Sequence, residues 1–182
     1  MLLLKQKLRK ALENYGRVAV LGVGSELRGD DAAGLLALSY LQKKKYPAPQ
    51  SRTRFVKRAG GAARPARKGP VLKLFNGGTA PENLTGEIRR FRPDCLIIID
   101  AADLGKRAGA VALVELEKIA DASFSTHKLP LKLMLDYLAA ETKLAFVFLG
   151  IQPKSLEFGA PVSEPVRRAA RDLAGFLAAV LW

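Results

Sequence analysis

Four side chains carry the chemistry this chain could perform. Asp30 and Asp31 stand side by side behind a glycine-rich turn (Gly22, Gly24, Gly29), Asp100 ends the most apolar run, and His127 is the sole histidine. Two carboxylates and one imidazole, with water or another molecule completing the shell, make an open site for a divalent transition ion. The ligating form of His127 is the neutral one, so affinity should fall below its unperturbed pKa of about 6.5. A structural reading stands beside this one. Asp30 would be a helix N-cap and Asp31 a carboxylate facing the helix dipole, each worth roughly 0.5–1 kcal/mol. For Asp30 that reading is preferred, and a lone histidine near a loop is more often simply hydrogen-bonded.

Other chemistries are excluded by the same residues. The three glycines do not form G-x-G-x-x-G, no Gly-Lys-Ser/Thr follows, and two acids occupy the place a phosphate would need. One histidine rules out an H-E-x-x-H zinc protease, and no G-x-S-x-G elbow supplies a nucleophilic serine. Period-two alternation puts Cys95, Ile97 and Ile99 on one strand face and Leu96, Ile98 and Asp100 on the other. Cys95 is therefore expected to be a buried core thiol and not a partner of Asp100.

Strands alternating with helices must position these groups. An apolar strand at Val18–Leu21 runs through the glycines into a helix with Leu35, Leu36, Leu38 and Leu41 on its apolar face. Val71–Phe75 is a second strand, followed by a helix from Pro81 to about Arg90; Cys95–Ile99 is a third. Ala110–Leu116 and Leu144–Ile151 are two more, with a helix holding Leu131, Met134, Leu135 and Leu138 between them and a closing helix that starts at Ser163. The expected fold is α/β, a three-layer α/β/α sandwich with a mostly parallel central sheet of about five strands. In such a fold Asp31, Asp100 and His127 all lie at the carboxyl edge of the sheet, where one crevice collects them.

The chain of 182 residues, 49% hydrophobic and 26% charged, fits one globular domain spanning 1–182. Its single cysteine excludes an intramolecular disulfide, and no run resembles a signal peptide or membrane span; a cytoplasmic protein is expected. Residues 2–15 form an amphipathic helix expected to dock on the domain. The net charge is +13, and ten of the 30 Lys and Arg fall between Leu41 and Pro70 with no acid among them, which leaves +3 elsewhere. This basic segment, 42–70, reads as a solvated surface insertion before a nucleic-acid site, with Tyr46 and Phe55 as candidate stacking aromatics or, instead, Arg54, Phe55 and Val56 as the start of a short hairpin.

Five blocks in order carry a resemblance. Gly22-Val23-Gly24-Ser25-Glu26-Leu27-Arg28-Gly29-Asp30-Asp31-Ala32-Ala33-Gly34 is similar to the opening segment of the NiFe-hydrogenase maturation proteases, within them the hydrogenase 3 large-subunit maturation endopeptidases. Asn76-Gly77-Gly78-Thr79-Ala80-Pro81-Glu82-Asn83, Ile99-Asp100-Ala101-Ala102-Asp103-Leu104-Gly105, Ser125-Thr126-His127-Lys128-Leu129-Pro130 and Leu149-Gly150-Ile151-Gln152-Pro153 resemble four further blocks. The N-terminal helix and the basic insertion look like additions to that pattern.

The resemblance implies that Asp31, Asp100 and His127 contact nickel, with Asp103 and Thr126 as candidates for orienting Asp100 and His127. It implies an endopeptidase that removes the C-terminal extension of a hydrogenase large-subunit precursor after nickel insertion. The nickel, carried by the precursor and bound transiently, would be the recognition element. The precursor is then the expected partner of a monomer, and membrane and nucleic-acid partners are not expected. No nucleophile is named beyond metal-activated water. Ser25 stands where the family usually has asparagine, and Ala32 where glycine often follows the acidic pair. The alternative is a nucleic-acid or acidic-partner binder acting through 42–70.

Overall fold

β-Branched and leucine-rich runs that end in glycine or aspartate become the strands of one sheet, and period-3.6 leucine stripes become the helices that cover it. A computed structural model describes residues 2–12, 15–44, 55–56, 64–65, 70–115 and 128–181. In chain order the elements are α1 (Leu2–Leu12), β1 (Arg17–Val23), α2 (Ala33–Lys43), β2 (Phe55–Val56), β3 (Arg64–Pro65), β4 (Val71–Gly78), α3 (Thr85–Phe91), β5 (Cys95–Ala101), β6 (Val111–Val114), α4 (Lys128–Glu141), β7 (Ala145–Ile151) and α5 (Glu164–Leu181). Single 3-10 turns, Gly29–Ala32 and Pro81–Leu84, lead into α2 and α3.

The five-stranded sheet has the order β4-β1-β5-β7-β6. β1 pairs in parallel with β4 and with β5, β5 with β7, and only β6 runs antiparallel, against β7. The chain leaves β1 toward β4 on one side and returns to β5 on the other. The carboxyl ends of β1 and β5 therefore flank the point where the winding reverses, the place where an open α/β sheet leaves a crevice. Asp31 follows the first of these strands and Asp100 lies in the second.

Both faces of the sheet are covered. Val18, Val20, Cys95, Ile97 and Ile99 pack beneath α1, α2 and α5 with Leu8, Leu12, Leu38, Leu41, Val166, Leu173 and Leu177. Ala19, Leu21, Leu96 and Ile98 pack on the opposite side with Ile88 of α3 and Leu131, Met134, Leu135 and Leu138 of α4. The alternation expected along residues 95–100 holds, and the burial of Leu8 and Leu12 shows the N-terminal helix docked on the domain. Strand ends shift by one to three residues from the expected ones, with β1, β4 and β5 longer and β6 shorter, and two helix boundaries differ as well. The N-terminal helix is described as far as Leu12, and the helix after β4 opens as a 3-10 turn before α3. Of the basic insertion, residues 45–54, 57–63 and 66–69 lie outside the described residues; Phe55–Val56 does pair antiparallel with Arg64–Pro65, the short hairpin anticipated there.

Candidate active site at the carboxyl edge of the sheet

Asp31 sits on the 3-10 turn between β1 and α2, and that turn packs against β5. Two glycines make the approach possible. Gly24 has φ +137°, and a Cβ there would lie 1.8 Å from the carbonyl oxygen of Asp31. A Cβ on Gly34 would lie 2.1 Å from the carbonyl oxygen of Ile99 and 2.4 Å from that of Val23. The first turn of α2 is thus wedged against the backbone of the residue that precedes Asp100. These two glycines bring a helix start onto two strand ends. Asp31 and Asp100 are both 0% exposed. Asp100 lies on the α3/α4 face of β5 by alternation, and its Oδ1 accepts from the N–H of Ala101 at 2.8 Å.

Asp30 has a different task from its neighbour, and not that of an N-cap. The residue before the 3-10 turn is Arg28, and no side chain caps that turn. The Asp30 carboxylate, 1% exposed, reaches across to the loop between β7 and α5. Its Oδ2 accepts from the N–H of Lys154 (2.7 Å), the N–H of Ser155 (3.3 Å) and the hydroxyl of Ser163 (2.8 Å), and its Oδ1 from the N–H of Ser163 (2.6 Å). The Asp30 N–H donates in return to the Ser155 carbonyl at 3.0 Å. Charge-assisted bonds of this kind are the strong ones, and each donor would be costly to leave unpaired. The structural reading of Asp30 stands, with the clasp replacing the cap.

Gln152, in the block Leu149-Gly150-Ile151-Gln152-Pro153, is a structural residue of the site beyond the expected set. Its side chain ties the loop after Asp100 to the end of β7. Oε1 accepts from the N–H groups of Leu104 (2.6 Å) and Lys106 (3.2 Å), and Nε2 donates to Asp103 Oδ1 at 3.2 Å. Its backbone N–H donates to Ala110 and its carbonyl accepts from Gly109, both at 2.8 Å, and the Ala102 N–H donates to Ile151 at 3.0 Å. The signal in the sequence was a polar residue directly after a buried strand, the same pattern that marked Asp100. Asp103 also accepts from the Gly105 N–H at 3.1 Å, closing an Asx turn. One segment, Gln152–Ser163, therefore fixes both acid-bearing loops: Gln152 holds the one after Asp100, and Asp30 joins it to the one before Asp31.

His127 and Thr126 lie outside the described residues, directly before α4 in the chain. Among the described residues no group of three His, Cys, Asp or Glu side chains gathers to hold a metal. Asp31 and Asp100 are thus the two members of the expected ligand set whose surroundings are described. Ser25 Oγ accepts from the Leu27 N–H at 3.3 Å, so the hydroxyl standing where asparagine was expected is engaged in its own turn. Cys95 is 0% exposed, and burial, with Asp94 adding to it, pushes its thiol up to about 12. That thiol is inert core, as the strand alternation required.

A family model described as HycI, hydrogenase maturation protease, matches residues 62–179. The hydrogenase 3 maturation protease of Escherichia coli K12 is 32% identical over 155 residues, which cover 85% of this chain and 84% of that protein. The chain belongs to the hydrogenase maturation protease family. Solved structures of the family share its fold. The NiFe-hydrogenase maturation protease HycI from Thermococcus kodakarensis is similar with a TM-score of 0.74 and 30% identity, over 96% of this chain and 98% of that one. The endopeptidase HycI from Escherichia coli gives a TM-score of 0.64 and 30% identity, with 87% of each chain covered. As a maturation protease the chain is a hydrolase, and among its described residues no helix is long and apolar enough to cross a membrane.

Proposed function

We propose that this maturation protease is an endopeptidase that removes the C-terminal extension of a NiFe-hydrogenase large-subunit precursor once nickel has been inserted, and that it acts in the cytoplasm. The nickel arrives as part of the substrate. Asp31, Asp100 and His127 hold it, and its presence between the two proteins distinguishes a loaded precursor from an empty one.

The observation that supports this reading most is the wedge of α2 against β5. It collects two fully buried carboxylates at the reversal point of the sheet, in a family whose members are maturation proteases. A divalent ion is a fitting counter-charge, and two carboxylates with one imidazole suit a borderline transition ion that keeps positions open for the substrate's own ligands. The bonds of Asp30 and Gln152 tie down the loops that neighbour these acids, so the loops need not reorganise when the precursor arrives.

The test is processing of a nickel-loaded precursor by variants that each remove one ligating group. Asp31→Asn, Asp100→Asn and His127→Ala should each lower processing by about 100-fold or more while the far-UV circular dichroism and melting temperature stay close to wild type. A folded Asp31→Asn protein that processes at the wild-type rate would sink the assignment.

A further inference from the structure

The loop that fixes the two acids also presents an apolar surface. Phe158 is 76% exposed and Leu27 is 64% exposed, the two highest values among the described exposed large hydrophobic residues. They sit on adjoining backbone, since the Gly159 N–H donates to the Leu27 carbonyl at 2.8 Å. The same loop turns Leu156 and Val162 inward against the core beneath α2 and α5. One loop thus partly buries two apolar side chains and holds a third outward. The support beneath is rigid: the four Asp30 bonds join both loops, and Ser155 Oγ accepts from the Glu157 N–H at 3.2 Å.

Single exposed hydrophobic residues need no explanation, but two carried on adjoining, hydrogen-bonded backbone make a preorganised contact. Their position decides what covers them. β5, which carries Asp100, lies between β1 and β7 in the sheet. The loops leaving β1 and β7 meet each other through Asp30 and through Leu27, so they arch past the carboxyl end of β5. Leu27 leads into the turn that carries Asp31, and Phe158 lies on the loop that Asp30 joins to that turn, so both residues neighbour the Asp31 turn. The other strongly exposed apolar residues belong to different elements: Val71 to the edge strand β4, and Leu133 to α4, where Tyr137 accepts from the Arg89 guanidinium at 2.8 Å.

We propose that Leu27 and Phe158 form a docking surface for an apolar stretch of the large-subunit precursor flanking the segment to be removed. This inference rests on the proposed function, because it takes the precursor as the occupant. Docking there would set the register of the precursor relative to the acids through the Asp30 clasp, and so belongs to substrate recognition and not to bond cleavage.

The experiment compares the full-length protein with the double variant Leu27→Ser/Phe158→Ser and with Phe158→Leu, using a nickel-loaded precursor. Binding is read by calorimetry, processing by mass, and the oligomeric state by light scattering. The double variant should raise Kd and KM about tenfold or more, with kcat at saturating precursor within about twofold of wild type and an unchanged melting temperature. Phe158→Leu, which keeps an apolar side chain, should recover most of the affinity. Wild-type Kd in the double variant would overturn the proposal, as would a failure of the unaltered protein to bind the precursor at all. A concentration-dependent dimer lost in the double variant would also overturn it, by making a second copy the occupant. Binding that weakens as expected in a protein that never cuts the loaded precursor would leave the docking surface standing and remove the endopeptidase reading.

Discussion

Asp30 and Asp31 show how far two identical neighbours can diverge. Both are buried, yet Asp30 spends its carboxylate on one serine hydroxyl and three backbone N–H groups of the β7–α5 loop, whereas Asp31 stands where the turn meets β5. Asp30→Ala would strand the three N–H donors, and chemical denaturation should show a loss of about 3 kcal/mol, with the β7–α5 loop becoming more open to proteolysis. Unchanged stability would mean that the clasp contributes nothing. Asp31→Asn should do the reverse, keeping the fold and losing the reaction. The sequence could mark the pair as important but could not divide the labour, because the partners of Asp30 lie more than 120 residues away, with Ser163 at a separation of 133. The same distance hid Gln152, whose contacts to Leu104 and Lys106 span 48 and 46 residues.

At the scale of elements, local pattern carried more. The alternation from Cys95 to Asp100 assigned both faces of β5 correctly, because each face is buried against its own helical layer and a slip of one residue would exchange them. β6 was legible as a strand, and its direction follows from what precedes it. The connection from β5, residues 102–110, is too short for a parallel crossover, so β6 returns antiparallel at the sheet edge. What no periodicity reported was the depth to which α2 sinks between strand ends. That depth depends on Gly34, where even a methyl group would meet the Ile99 carbonyl at 2.1 Å. Gly34→Ala should push α2 away from β5 and destabilise the domain by about 2–3 kcal/mol in urea unfolding. Processing should also fall in whatever fraction remains folded, since the shift separates the Asp31 turn from Asp100. A variant with wild-type midpoint and wild-type processing would show that the wedge does not set the site.

For the molecule as a whole, two signals competed in the sequence. One was a net charge of +13, concentrated between Leu41 and Pro70; the other was a set of acids and a histidine at strand ends. The family match and the burial of Asp31 and Asp100 favour the second. Charge density describes a surface and its fields, while a reaction needs groups held in fixed relation, and here the hydrogen bonds of Asp30 and Gln152 supply that fixity. The most direct test of the central claim is to incubate the purified protein with a matched hydrogenase large-subunit precursor, either loaded with nickel or left empty, and to follow the C-terminal extension by mass. Only the loaded precursor should lose its extension. Equal cleavage of both forms would contradict the role given to nickel, and cleavage of neither by the folded protein would contradict the reaction itself.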